Sequence, residues 1–180
     1  IGCDAVKFQL FKIEELFSKE VLLKSKTHRD RKAWELPNEY IPILADHCKR
    51  KKIEFACTPF SLEAVDFLEE YVNFFKIASY ELIWDDLVKK CSKTSKPLIL
   101  STGMANIKEI NHAKEVANKN NCKDLTFLHC NSAYPTPIRD ANLSAIATIK
   151  NETGCSVGWS DHTVNPGVIY RAVHKWDAAV

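Results

Sequence analysis

The feature that most restricts this chain is a unit that repeats. Short β-rich runs stand at "DAVKFQ" (4–9), "IEFACT" (53–58), "FFKIAS" (74–79), "PLILST" (97–102), "LTFLHCN" (125–131) and "SVGWS" (156–160), with "AAV" (178–180) opening a seventh. Helix-length segments separate them. Strands that alternate with helices are joined by crossovers and therefore pair in parallel, which is the α/β class. Successive strand centres are roughly 20 to 30 residues apart, the length of one strand-plus-helix unit. One gap is about twice as long, because residues 10–37 form an insertion after the first strand.

No G-x-G-x-x-G or G-x-x-x-x-G-K turn occurs, so the repeat predicts a (β/α)8 TIM barrel rather than a doubly wound nucleotide-binding sheet. Such a barrel takes about 200 to 250 residues. The 180 residues begin and end within strands. The expectation is one incomplete domain over 1–180, a partial barrel from about strand 2 to the start of strand 8. Within it, "PNEYIPILADHCKRKK" places Tyr40, Ile43, Leu44 and His47 on one helix face. "SLEAVDFLEEY" opens on Ser61 as a helix cap and places Leu62, Val65 and Leu68 on another.

Composition narrows the partners. A net charge of +2 gives no reason to expect nucleic acid or a membrane surface. The most basic stretch, Lys19 to Lys32, holds Glu20 and Asp30 and no aromatic residue, so it reads as a solvated face. No apolar run approaches 18 residues, which excludes a membrane-spanning helix. The opening "IGCDAVKFQ" has no signal-peptide pattern. The cysteines at 3, 48, 57, 91, 122, 130 and 155 form no C-x-x-C pair, so free thiols in a reducing, cytoplasmic setting are expected.

In a barrel, functional groups gather at the C-terminal ends of the strands. Here each strand carries polarity at that end: Lys7 and Gln9; Thr58; Lys76, Ser79 and Glu81; Ser101 and Thr102; His129, Asn131, Ser132 and Tyr134; Ser160, Asp161 and His162. Lys7 and Lys76 interrupt apolar strands, where a lone ammonium costs several kcal/mol before relaxation. An anionic ligand would remove that cost, and short hydroxyl and amide donors beside a lysine suit a phosphate or carboxylate. Structural ion pairs, or lysines that snorkel to the mouth, are the alternatives. Thr58, Ser101 and Ser132 have the alternative of capping helices or turns. His129, deep in a strand, reads as a hydrogen-bonded core residue.

In order, "GCDAVKFQLF", "ACTPFSLEAVDFLEE", "FKIASYE", "KPLILSTGMANIKEI", "LHCNSAYPTP" and "VGWSDHT" resemble the catalytic domain of the sialic acid synthases, the N-acetylneuraminate, legionaminate and pseudaminate synthase group. The resemblance extends over essentially the whole chain. It implies a transferase that condenses phosphoenolpyruvate with an N-acetylated hexosamine such as N-acetylmannosamine, giving a nine-carbon 2-keto sugar acid and phosphate. It further implies a divalent metal, Mn²⁺ or Mg²⁺, as Lewis acid, and a homodimer when full length.

By motif, Lys7, Thr58, Lys76, Ser79, Ser101, Asn131 and Ser160 would hold phosphoenolpyruvate. Gln9, Glu81 and Tyr134 would face the sugar or the reacting centre, with Glu81 as the candidate for proton transfer. His162 would ligate the metal; Asp161 would either support it or cap the next helix. The family pattern has glycine where this chain has Tyr80, and a smaller apolar residue where it has Trp159. The family's first βα unit, a second metal-binding histidine expected just past Val180, and a C-terminal antifreeze-like domain are expected to be absent. The segment alone is therefore expected to be inactive. The competing readings are a non-catalytic fragment or pseudoenzyme that keeps an anion half-site, and a barrel aldolase or lyase with Lys7 or Lys76 as a Schiff base.

Overall fold

A computed structural model describes residues 2–180. The chain divides into two compact units, one ending at Lys76 and the other running from Ile77 to Val180.

The first unit contains strand β1 (Ala5–Leu10), the short helices α1 (Ile13–Leu16), α2 (Lys19–Lys24) and α3 (Lys26–Asp30), helix α4 (Tyr40–Lys51), strand β2 (Glu54–Pro59), helix α5 (Leu62–Leu68) and all but the last residue of strand β3 (Phe74–Ile77). All pairings are parallel: β1 with β2 from Ala5↔Glu54 to Leu10↔Pro59, and β2 with β3 at Ala56↔Phe74 and Cys57↔Phe75. Phe55, Cys57 and Phe75 are fully buried with Val65 and Leu68 of α5 and Ile41 of α4. The Ser61 cap is present, its hydroxyl accepting from the Ala64 N–H at 3.2 Å.

Helix α4 corrects one expectation. Its buried residues are Ile41 and Cys48, while Tyr40 and Ile43 are 51% and 61% exposed and His47 faces solvent. Two stripes one residue apart both satisfy helical spacing in this segment. The one with the small hydrophobe Cys48 fits the sheet, and the one ending in His47 does not. The insertion forms α1 to α3, and the basic stretch is solvated as expected, with surface pairs Lys24–Glu20 and Lys26–Asp30. Ile13 anchors it, only 5% exposed, its N–H donating to the Glu35 carboxylate at 2.8 Å.

The second unit contains helix α6 (Asp85–Lys93), strand β4 (Leu98–Ser101), helix α7 (Ile107–Lys119), strand β5 (Leu125–Cys130), helix α8 (Ala145–Thr153), strand β6 (Ser156–Ser160) and helix α9 (Pro166–Trp176). β4, β5 and β6 pair in parallel, with Ser101↔Leu128, Leu128↔Gly158 and Cys130↔Ser160 in register. One sheet face, Leu98, Leu100, Phe127 and Val157, is buried with Ile110 and Ala113 of α7 and Ile146 and Ile149 of α8. Because side chains alternate along a strand, Ser101, Cys130 and Ser160 lie on the other face.

The expected start of a seventh strand is visible as pairing rather than as a full strand. Ala179 N–H donates to Val157 O, and Trp159 N–H to Val180 O, each at 2.9 Å. All seven cysteines are free. Among the described residues, no helix is long and apolar enough to cross a membrane.

Candidate active site

In the first unit, register places four candidates on one sheet face. Lys7 pairs with Ala56 and Gln9 with Thr58; Phe74 pairs with Ala56, so Lys76, two residues on, shares their side. Burial lowers the Lys7 pKa from its ordinary 10.5, with the Cys57 thiol acting in the opposite sense. The residue as a whole is exposed, so this desolvation is partial. Thr58 is fully buried, and its hydroxyl has no hydrogen-bond partner among the described residues. It therefore does not serve as a cap. An unpaired buried hydroxyl costs about 1 to 3 kcal/mol, so this position is disfavoured unless something outside the protein completes it.

The second unit repeats the theme. Ser101 ends β4, is fully buried, and its hydroxyl likewise has no partner among the described residues. Ser79 opens a 3₁₀ turn, Ser79–Glu81, directly after β3. Its hydroxyl accepts the Gly103 N–H at 3.0 Å, which leaves its own hydrogen available to donate. A Cβ built on Gly103 would lie 2.6 Å from Ser132 Oγ and 2.9 Å from Ser79 Oγ. Gly103 is thus a point where two hydroxyls approach the backbone so closely that a side chain there would have to displace them. Ser132 belongs with Ser79, although its motif had marked it only as a strand-end hydroxyl with a capping alternative.

Asn131 contributes differently from its neighbour. Its amide turns to the carbonyl of Asp140, and its own carbonyl accepts from His162 Nδ1 at 2.6 Å. Strand alternation ends at Cys130, so nothing in the sequence told which of Asn131 and Ser132 would point toward Ser79.

A carbonyl can only accept, so His162 Nδ1 carries the hydrogen, and Nε2 is the ring nitrogen left to act as a ligand. A metal-ligating histidine is commonly fixed in this way, its other ring N–H donating to a backbone carbonyl. Tyr134 packs on the imidazole with ring centroids 4.1 Å apart, and the Thr136 N–H donates to His162 O at 2.8 Å. The loop after β5 thereby holds the loop after β6. His162 fits a divalent ion as one ligand; among the described residues there is no group of three His, Cys, Asp or Glu that could hold a metal. Asp161 accepts the Thr163 N–H at 2.9 Å and so closes its own turn.

Glu81 is half-buried, with Oε2 shielded from water. Ser160 is half-buried opposite Cys130. Tyr134 is 70% exposed. Its pKa is raised by burial, and then by Cys130 and Tyr80. Tyr80, in the glycine position, has no positive φ, so the turn needs no glycine there. His129 is the core histidine expected: its Nε2 bonds Ala141 O at 2.9 Å, and burial lowers its pKa. Two open clefts of about 370 and 340 Å³ on this unit include none of the residues assigned to phosphoenolpyruvate, sugar or metal, although Thr102 and His129 line the second.

Comparison with known proteins follows the same outline. Residues 1–178 match the NeuB family. The chain is 39% identical over 192 residues to N,N'-diacetyllegionaminic acid synthase of Campylobacter jejuni, covering 99% of this chain and 55% of that protein. It is 44% identical over 164 residues to the uncharacterized protein MJ1065 of Methanocaldococcus jannaschii, covering 91% and 48%. It therefore spans about half the length of these relatives.

Among solved structures, N-acetylneuraminic acid synthetase of Leptospira borgpetersenii, in complex with citrate, superposes with a TM-score of 0.86 at 32% identity, covering 94% of this chain and 58% of that one. A DAHP synthase of Thermotoga maritima, at 13% identity and a TM-score of 0.68, shares the fold alone. These neighbours are TIM-barrel-like, and the α/β chain described here is part of such a barrel. With the match running from residue 1 to residue 178, the chain belongs to the NeuB family.

Proposed function

We propose that this chain is the larger part of the catalytic barrel of a cytoplasmic, phosphoenolpyruvate-dependent sugar-acid synthase. It condenses phosphoenolpyruvate with an N-acetylated hexosamine to a nine-carbon 2-keto sugar acid and releases phosphate. The observation that supports this most directly is a pair of fully buried hydroxyls, Thr58 and Ser101, with no protein partner among the described residues. Each stands at a strand C-terminal end within its own unit, where an acceptor oxygen of an anion would satisfy it.

In this reading Lys7 and Lys76 supply charge, and Thr58, Ser79, Ser101, Ser160 and the Asn131–Ser132 segment supply donors to phosphate and carboxylate. Carbon 3 of phosphoenolpyruvate forms a bond to the sugar aldehyde, water adds at carbon 2, and the carbon–oxygen bond to phosphate breaks. Glu81 moves the proton that this sequence requires, and Gln9 and Tyr134 orient the sugar. Bound Mn²⁺ or Mg²⁺ would supply Lewis-acid polarisation of the aldehyde, with His162 Nε2 among its ligands. Family membership further supports a homodimer for the intact protein.

Mixing the intact protein with phosphoenolpyruvate, an N-acetylated hexosamine and Mn²⁺ should release phosphate in step with keto acid. Borohydride should trap no imine. Trapping at Lys7 or Lys76, without phosphate release, would replace this reading with a Schiff-base lyase.

A further inference from the structure

We infer that Thr136 is a positioning residue, whose hydroxyl holds the loop after β5 in the form that fixes both the His162 imidazole and the Tyr134 ring. The inference rests on the synthase reading and adds to it a residue that acts through two others.

From Ala133 to Asp140 every residue is exposed except Thr136, which is only 2% exposed. A polar residue buried inside an exposed loop costs free energy unless its polar groups are paired. Both are paired. Its Oγ1 donates to the Ala133 carbonyl at 2.9 Å, and its N–H donates to the His162 carbonyl at 2.8 Å. The neighbours Pro135 and Pro137 have no N–H, so Thr136 supplies the only main-chain donor from 135 to 137. That one donor goes to the residue that carries the ligand candidate.

The two bonds act in series. The hydroxyl closes the turn Ala133–Thr136, with Tyr134 inside it, and the N–H ties that turn to His162. Tyr134 packs at 4.1 Å on the imidazole whose Nδ1 donates to the Asn131 carbonyl at 2.6 Å. Residues 131, 134 and 136 thus all act on one histidine. Valine at 136 would keep the branched shape and the burial and remove only the hydroxyl bond. The turn would then open more readily, and His162 and Tyr134 would loosen together. Groups that orient a ligating histidine change metal affinity or activity by about 10- to 100-fold when removed.

The test uses the intact protein and begins without substrates, titrating Mn²⁺ by electron paramagnetic resonance. Thr136→Val should weaken Mn²⁺ binding by about tenfold. In the metal-free protein it should also speed tryptic cleavage after Arg139, whose side chain is 87% exposed in the same loop, by up to about tenfold. In turnover the sugar KM should rise while the phosphoenolpyruvate KM stays within twofold. Thr136→Ser, which keeps the hydroxyl, should restore wild-type values. If Thr136→Val lowers only the denaturation midpoint and leaves Mn²⁺ binding and cleavage within twofold, the residue is merely structural and the inference is overturned, with the synthase reading intact. A wild type that binds no Mn²⁺ also overturns the inference; one that binds Mn²⁺ and releases no phosphate overturns the synthase reading alone.

Discussion

The Nδ1 hydrogen of His162 is donated to the main-chain carbonyl of Asn131 across 2.6 Å, and this single bond decides which ring nitrogen is free. Tyr134 covers the ring, and the Thr136 N–H holds the backbone of the same histidine. The imidazole is thus oriented before any ion arrives. In the intact protein, His162→Ala should lower Mn²⁺-dependent turnover by on the order of 10²-fold or more. Phosphoenolpyruvate binding, followed by calorimetry, should be largely spared. Unchanged activity at saturating Mn²⁺ would remove His162 from the ligand set.

Lys76 shares a sheet face with Lys7, Gln9 and Thr58. If that face holds the anion, Lys76→Ala should raise the phosphoenolpyruvate KM by roughly 10- to 100-fold, the range for losing a charge-assisted hydrogen bond. The sugar KM should move much less. A phosphoenolpyruvate KM that stays at its wild-type value would leave Lys76 as a structural cation.

The Lys7 ammonium gives a pH dependence with a definite sign. Its folded pKa is lowered from 10.5 by burial. Between that lowered value and 10.5 the unfolded chain binds the extra proton, so this group makes stability rise with pH across that window. Anion binding runs the other way, because it needs the charged amine. Phosphoenolpyruvate affinity should therefore weaken as pH rises through the lowered Lys7 pKa, and Lys7→Met should abolish that limb of the profile. A limb that persists in Lys7→Met assigns the titration elsewhere.

Gly103 tests the hydroxyl cluster without removing a polar group. An added methyl would sit 2.6 Å from Ser132 Oγ and 2.9 Å from Ser79 Oγ. Gly103→Ala should cost about 1 to 3 kcal/mol in stability through overpacking, read by chemical denaturation. It should also raise the phosphoenolpyruvate KM by displacing both hydroxyls. A stable variant with an unchanged KM would show that the cluster is not at the anion.

The sequence by itself determined the order of the elements, because hydrophobic period and turn chemistry are local. All six full strands fall within one or two residues of their sequence runs, and Ser61 caps where its position said it would. Strand alternation likewise put Lys7 and Gln9 on one face, and only the register of the paired strands set Thr58 and Lys76 on the same side. Packing decided what spacing leaves degenerate. On α4, the stripe Ile41–Cys48 was chosen over Tyr40–Ile43–His47 only by its fit to the sheet.

Past the end of β5, alternation no longer applies. There the tertiary structure alone sent the Asn131 amide to Asp140, the Asn131 carbonyl to His162, and the Ser132 hydroxyl to Gly103 beside Ser79. It alone showed that Tyr80 sits on a turn that tolerates a side chain, and that Thr58 and Ser101 are buried without partners among the described residues. Whether a hydroxyl is a cap or a waiting donor depends on which backbone groups come within 3 Å, and those arrive from residues distant in the chain.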